Sequence, residues 1–150
     1  MANVEIIHKN AGHIALSDHH TEQEEFVVDT TEINLSNIVD VELRIYFNNP
    51  NMAGRDLLIT MNPGSDPAPF TGKPVTAGKQ TIVLTSTDFP HTPYDNYLID
   101  YLKENGQLTA FIDLEQSADE IYYLGMDLKI ITSSCTGWRR WFCSLLCGNC

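Results

Sequence analysis

The first 134 residues of this chain contain no cysteine, so no disulfide can staple that region and no thiol there can bind metal or attack a substrate. Long apolar runs are missing as well. No uncharged apolar stretch approaches the ~20 residues that a membrane-spanning helix needs. The opening MANVEIIHKN has no basic segment leading into an apolar one, so no secretory signal is expected and cytosolic synthesis is the default. Basic residues are scarce: 9 Lys and Arg stand against 20 Asp and Glu, a formal net charge of −11. A body this acidic repels the phosphates of nucleic acid, which excludes that class of partner and leaves solubility as the plain reading of the charge. Catalytic signatures are absent too. There is no Gly-x-Ser-x-Gly elbow and no Gly-rich phosphate loop behind a strand, and scattered Ser, His and Asp do not make a triad. The expectation is a protein that is not an enzyme and uses no cofactor.

What is present suffices for one folded domain. A chain of 150 residues buries roughly 70% of its unfolded surface, and its 43% hydrophobic and 19% charged residues are globular proportions. In VDVELRIYFN, strict alternation puts Val39, Val41, Leu43, Ile45 and Phe47 on one face, with Asp40, Glu42, Arg44 and Tyr46 between them. VEIIH (4–8), EEFVVDT (24–30), DLLITM (56–61), QTIVLTS (80–86), QLTAFIDL (107–114) and YYLGMDLKII (122–131) read as further strands, and Gly125 in the last marks a bulge. YDNYLIDYLK differs: Tyr94, Tyr97, Leu98, Tyr101 and Leu102 recur with helical spacing, and Asn105-Gly106 ends the run. The predicted fold is all-β, an antiparallel jelly-roll-like β-sandwich of 7–8 strands with one short helix near 94–103. The proline-rich connection NPGSDPAPFTGKPVTAGK (62–79) reads as a long stiff loop; Phe70 there either presents aromatic surface at one end of the sandwich, where such folds place binding loops, or, the preferred reading, plugs the end of the core. Phe89, in FPHTPY, is a second aromatic at that end.

Two stretches carry a resemblance. IVDVELRIYFNNPNMAGRDLLITMNPG joins a strand, a polar turn, a Gly-Arg-Asp-Leu entry into the next strand, then Pro-Gly. NGQLTAFIDLEQSADEIYYLGMDLKII runs strand, acidic turn, Gly and a last alternating strand. Together they resemble the centre and end of the P domain (homo B domain) that follows the catalytic domain of subtilisin-like proprotein convertases. The resemblance implies a jelly-roll sandwich acting as a stabilising or binding module, with no catalytic residue.

One cluster in the body suits metal by composition. HIALSDHHTEQEE sets His13 and Glu22, Glu24 and Glu25 around the weak candidates Asp18, His19 and His20. Adjacent His19 and His20 point to opposite sides of an extended chain, so a solvated loop is the preferred reading and no metal is assigned.

The composition changes abruptly after Ser133-Ser134. CTGWRRWFCSLLCGNC (135–150) holds all four cysteines, both tryptophans, two arginines and no acid, and separates from a 1–134 body that carries −13. Placed on a helix, Trp138, Trp141, Phe142 and Leu145 share one face, while Arg139, Arg140, Cys143 and Cys147 share the other, with Cys150 below them. So short a helix is not stable alone in water, so the aromatic face must bury against something. Cβ atoms four residues apart on a helix lie about 5–6 Å apart, whereas a disulfide wants about 3.8 Å. A helical tail therefore keeps Cys143 and Cys147 unbridged, and a bridged tail is not helical. Several roles follow for Cys135, Cys143, Cys147 and Cys150. They lock the protein covalently to other chains, a homo-oligomer first among them. They form part of a peptide that a modifying enzyme processes and releases from its carrier. They are acylated, anchoring the protein to a membrane surface. A weaker reading is a Cys₄ metal set with irregular spacing; the plain alternative to all of these is a segment that merely closes the core.

Overall fold

The computed structural model of the chain describes residues 2–17, 21–50, 55–65, 68–89, 94–114 and 120–133. The alternating segments form eight strands: β1 (Ala2–Leu16), β2 (Glu22–Val27), β3 (Ile38–Asn49), β4 (Arg55–Met61), β5 (Phe70–Val75), β6 (Gly78–Leu84), β7 (Gln107–Leu114) and β8 (Ile121–Ser133). One helix, α1 (Tyr97–Asn105), and two 3₁₀ turns, Leu35–Asn37 and Ser86–Asp88, complete the described elements. The strands make two four-stranded antiparallel sheets with orders β1-β8-β3-β6 and β2-β7-β4-β5. The pairings are nested: β4 with β5, β3 with β6, β2 with β7, β1 with β8. One long hairpin, closed between β4 and β5, is thus rolled into two layers, and the β3–β8 and β4–β7 ladders stitch the roll together. This is the eight-stranded jelly roll that the alternation predicts.

The core lies between the layers. Leu43, Ile45 and Phe47 of β3 and Leu128 and Ile130 of β8 meet Leu57, Ile59 and Met61 of β4 and Leu108, Ala110 and Ile112 of β7. Each fully buried large side chain contributes roughly 1.5–3 kcal/mol of transfer free energy. At Val39 the alternation slips. The register of β3 against β8 breaks between Ile38 and Asp40, so Ile38 and Val41 are both buried and Val39 is turned outward, 42% exposed. Strict period-two reading fails by one residue across such a bulge.

The bulge expected at Gly125 is present. The register breaks beside it on both flanks of β8, between Tyr46 and Phe47 on β3 and between Asn10 and Ile14 on β1. Gly125 has φ +146°, and a Cβ there would sit 2.4 Å from the Lys9 carbonyl oxygen. Only glycine lets β1 pass this close.

The stretch 62–79 is not the structureless loop its prolines suggest. It contains β5 and the first residues of β6. β5 is an edge strand, where Pro74 costs no ladder hydrogen bond that a neighbour needs. Phe70 lies 69% exposed instead of plugging the core, and Phe89, 2% exposed, fills the interior. The helix follows the expected pattern: Tyr97, Leu98 and Leu102 are buried. Gly106, at φ +68°, caps it, its N–H donating to the Leu102 carbonyl at 2.8 Å.

Candidate functional site

Residues directly opposite in an antiparallel ladder share a face, so the outer surface of the β1-β8-β3-β6 sheet can be built row by row. The central row is His8, Asp127, Arg44 and Val83. His8 Nδ1 contacts Asp127 Oδ1, and the Tyr46 hydroxyl donates to Asp127 Oδ2 at 2.6 Å. One carboxylate thereby ties β1, β8 and β3 together. Burial alone would raise the Asp127 pKa, but the hydrogen bonds from Tyr46 and His8 and the nearby positive charge prevail and lower it. The same bond holds the Tyr46 hydroxyl above its usual value. Arg44 donates to Glu42 Oε2 at 3.1 Å, and Lys129 Nζ lies 3.9 Å from that oxygen.

Beyond this polar centre the face becomes apolar. The next row is Ile6, Lys129 and Glu42; the one after is Val4, Ile131 and Asp40, and the last pairs Ala2 with Ser133. Val4 is 53% and Ile6 58% exposed, and the bulged Val39 stands on the same side as half-buried Ile131. A small apolar patch rimmed by Asp40, Glu42 and Lys129 thus lies at the end of the sheet where β8 finishes. β8 is an interior strand, so its last residue, Ser133, arrives at the surface beside Ala2. The cysteine-rich segment begins two residues later.

Cys135, Cys143, Cys147 and Cys150, Trp138, Trp141, Phe142 and Leu145, and Arg139 and Arg140 lie outside the described residues, as do Asp18, His19 and His20. Among the described members of the acidic His-rich stretch, the His13 ring stacks on Tyr122, with centroids 4.0 Å apart. Glu24 Oε1 accepts a 3.1 Å bond from Tyr123, whose hydroxyl is pushed up first by burial and then by the Glu24 charge. No group of three or more His, Cys, Asp or Glu that could hold a metal ion occurs among the described residues. No helix among them is long and apolar enough to cross a membrane.

No family model and no curated protein matches the chain. Solved structures do. Dimeric latent PorU from Porphyromonas gingivalis aligns over 88% of this chain with a TM-score of 0.50 at 10% identity, and only 13% of PorU is covered. Tripeptidyl peptidase 2 aligns over 85% of the chain and 10% of its own length, with a TM-score of 0.47 and 11% identity. An exo-beta-1,3-galactanase from Phanerochaete chrysosporium aligns over 87% and 27%, with a TM-score of 0.42 and 13% identity. The likeness to PorU is one of fold: this jelly roll resembles a small part of a much larger protein. The chain spans about an eighth of PorU and a tenth of the peptidase.

The Val4–Ile6 surface escaped the sequence reading. VEIIH has apolar residues on both parities, at 4, 6 and 7, and alternation alone buries one set without saying which. The signal was that double parity. Ile7 packs against the core, and Val4 and Ile6 are left facing out.

Proposed function

We propose that the chain is a non-catalytic β-sandwich module, comparable to the P domain of proprotein convertases, that associates with other protein chains through its cysteine-rich C-terminal segment. The observation that carries this reading is where the segment starts. Among the described residues the buried core runs from Leu16 to Ile130, and β8 then ends at Ser133, beside Ala2. All four cysteines follow that point in the sequence, and this clustering supports bonds outward, because cysteines used as packing filler would be scattered through the body. The order of partners is a second copy of the chain, then other proteins. The sequence also supports a carrier that yields a modified Cys-rich peptide, because composition and charge change sign together at Ser134.

Intact mass and gel mobility under non-reducing and reducing conditions test the assignment. Association predicts a ladder of species that collapses to monomer on reduction and is lost when Cys135, Cys143, Cys147 and Cys150 are all replaced by Ser. Loss of the last residues from the cellular protein would replace association with the precursor reading, and a gain of acyl mass would replace it with membrane anchoring. Reduced, unmodified monomer under oxidising conditions would end all three.

A further inference from the structure

Val4, Ile6 and Val39 are exposed together on the outer face, beside half-buried Ile131, and such a patch can serve as a contact surface. Two features bear on its occupant. The first is continuity: Ile131 belongs to the strand that runs into the tail, and Ser133 ends against Ala2 at the rim of the patch. The second is size. A helix over 138–147 would be about 15 Å long, and the outer face from Ala2 to His8 runs for about 20 Å.

We infer that the Trp138, Trp141, Phe142 and Leu145 stripe docks on the Val4, Ile6, Val39 and Ile131 patch of the same chain. The inference rests on reading the tail as an association segment and adds how it is presented. A helix held by its aromatic face turns its opposite face, with Cys143 and Cys147, toward solvent and toward a partner. Docking also supplies the burial that so short a helix needs in order to form, and that helix keeps the two thiols unbridged to each other.

Tryptophan fluorescence of the full chain tests this cleanly, because both tryptophans of the protein lie in the tail. In reductant, docking predicts a blue-shifted emission and acrylamide quenching several-fold weaker than for a free tryptophan, unchanged on dilution. Ile6→Asp raises quenching several-fold toward the free value. Val83→Asp, on the same face but beyond the polar centre and 45% exposed, leaves it unaltered. Far-UV circular dichroism confirms that both variants keep the sheet. Free quenching in the parent protein, or no response to Ile6→Asp, overturns the inference. Protection lost on dilution overturns it in favour of a second copy as the acceptor. Protected tryptophans without any reducible cross-linked species would retain the docking and remove the association reading.

Discussion

Replacing Gly125 by alanine should detach or displace β1, and the cost can be worked from two independent terms. An alanine at φ +146° occupies backbone space that L-residues avoid, worth roughly 1–3 kcal/mol. Its Cβ would also stand 2.4 Å from the Lys9 carbonyl oxygen, 3.4 Å from Asn10 Cα and 3.5 Å from Ala11 N. All three neighbours are backbone, so no side chain can swing aside, and overpacking of this kind costs about 1–3 kcal/mol more. The total of roughly 2–6 kcal/mol is a large share of the ~5–15 kcal/mol that holds a domain folded. Gly12 provides the control. It also has positive φ, +73°, but an added Cβ meets nothing within 4 Å, so Gly12→Ala should cost only the conformational term, about 1–2 kcal/mol. Urea denaturation followed by far-UV circular dichroism measures both variants. A domain of this size loses about 2–4 °C of Tm per kcal/mol, which gives a second readout. Equal destabilisation by the two substitutions would refute the close passage of β1 over Gly125, and with it the placement of Val4 and Ile6 beside the end of β8.

Three further outcomes follow from the described contacts. Tyr97→Phe removes the partner of Asn62 Nδ2, which makes a 2.8 Å buried bond to the Tyr97 hydroxyl; urea titration should show a loss of about 1–3 kcal/mol. Phe89→Ala should cost roughly 3–5 kcal/mol, whereas Phe70→Ala should stay within about 0.5 kcal/mol, in thermal melts of the two variants. The pH dependence is set by carboxylates whose folded pKa is lowered. At Asp127 burial is outweighed by the Tyr46 and His8 bonds, and at Asp88 by the Lys73 and Thr85 bonds. Their contribution is complete above the unfolded value of about 3.9 and is lost as pH falls through the lower folded values. Tm should therefore drop on acidification below about pH 4, and Asp127→Asn should lower Tm at neutral pH while making the acid limb shallower.

Most of the fold was legible because the physics that builds it is local. Alternation marks β3, β7 and β8, helical spacing marks α1, and Gly106 terminates it at the expected place. The failures have local causes as well. β5 hid behind Gly72 and Pro74, residues that argue against a strand unless that strand is known to lie at an edge, and edge position is a property of the whole sheet. Val39 reads as inward from alternation, because a bulge shifts parity without leaving a glycine or proline to announce it. Val4 and Ile6 became a surface only when the ladder set them against Ile131 and Lys129, partners 127 and 123 positions along the chain. The tail, conversely, was conspicuous through composition alone, and the fold adds the place from which it leaves the sheet.

The nesting of the ladders also dictates an order of events during synthesis. Among the described strands β8 comes last in the chain, yet it lies between β1 and β3 and is the neighbour with which β1 pairs. β1 must wait until β8 has been made before its amide groups find this ladder. Contacts of such wide sequence separation slow folding and lengthen the interval in which strand edges stay open. Replacing Ile130 or Leu128, late on the ribosome, should therefore harm soluble yield more than an equal loss of volume at Leu57 or Ile59, whose hairpin closes early.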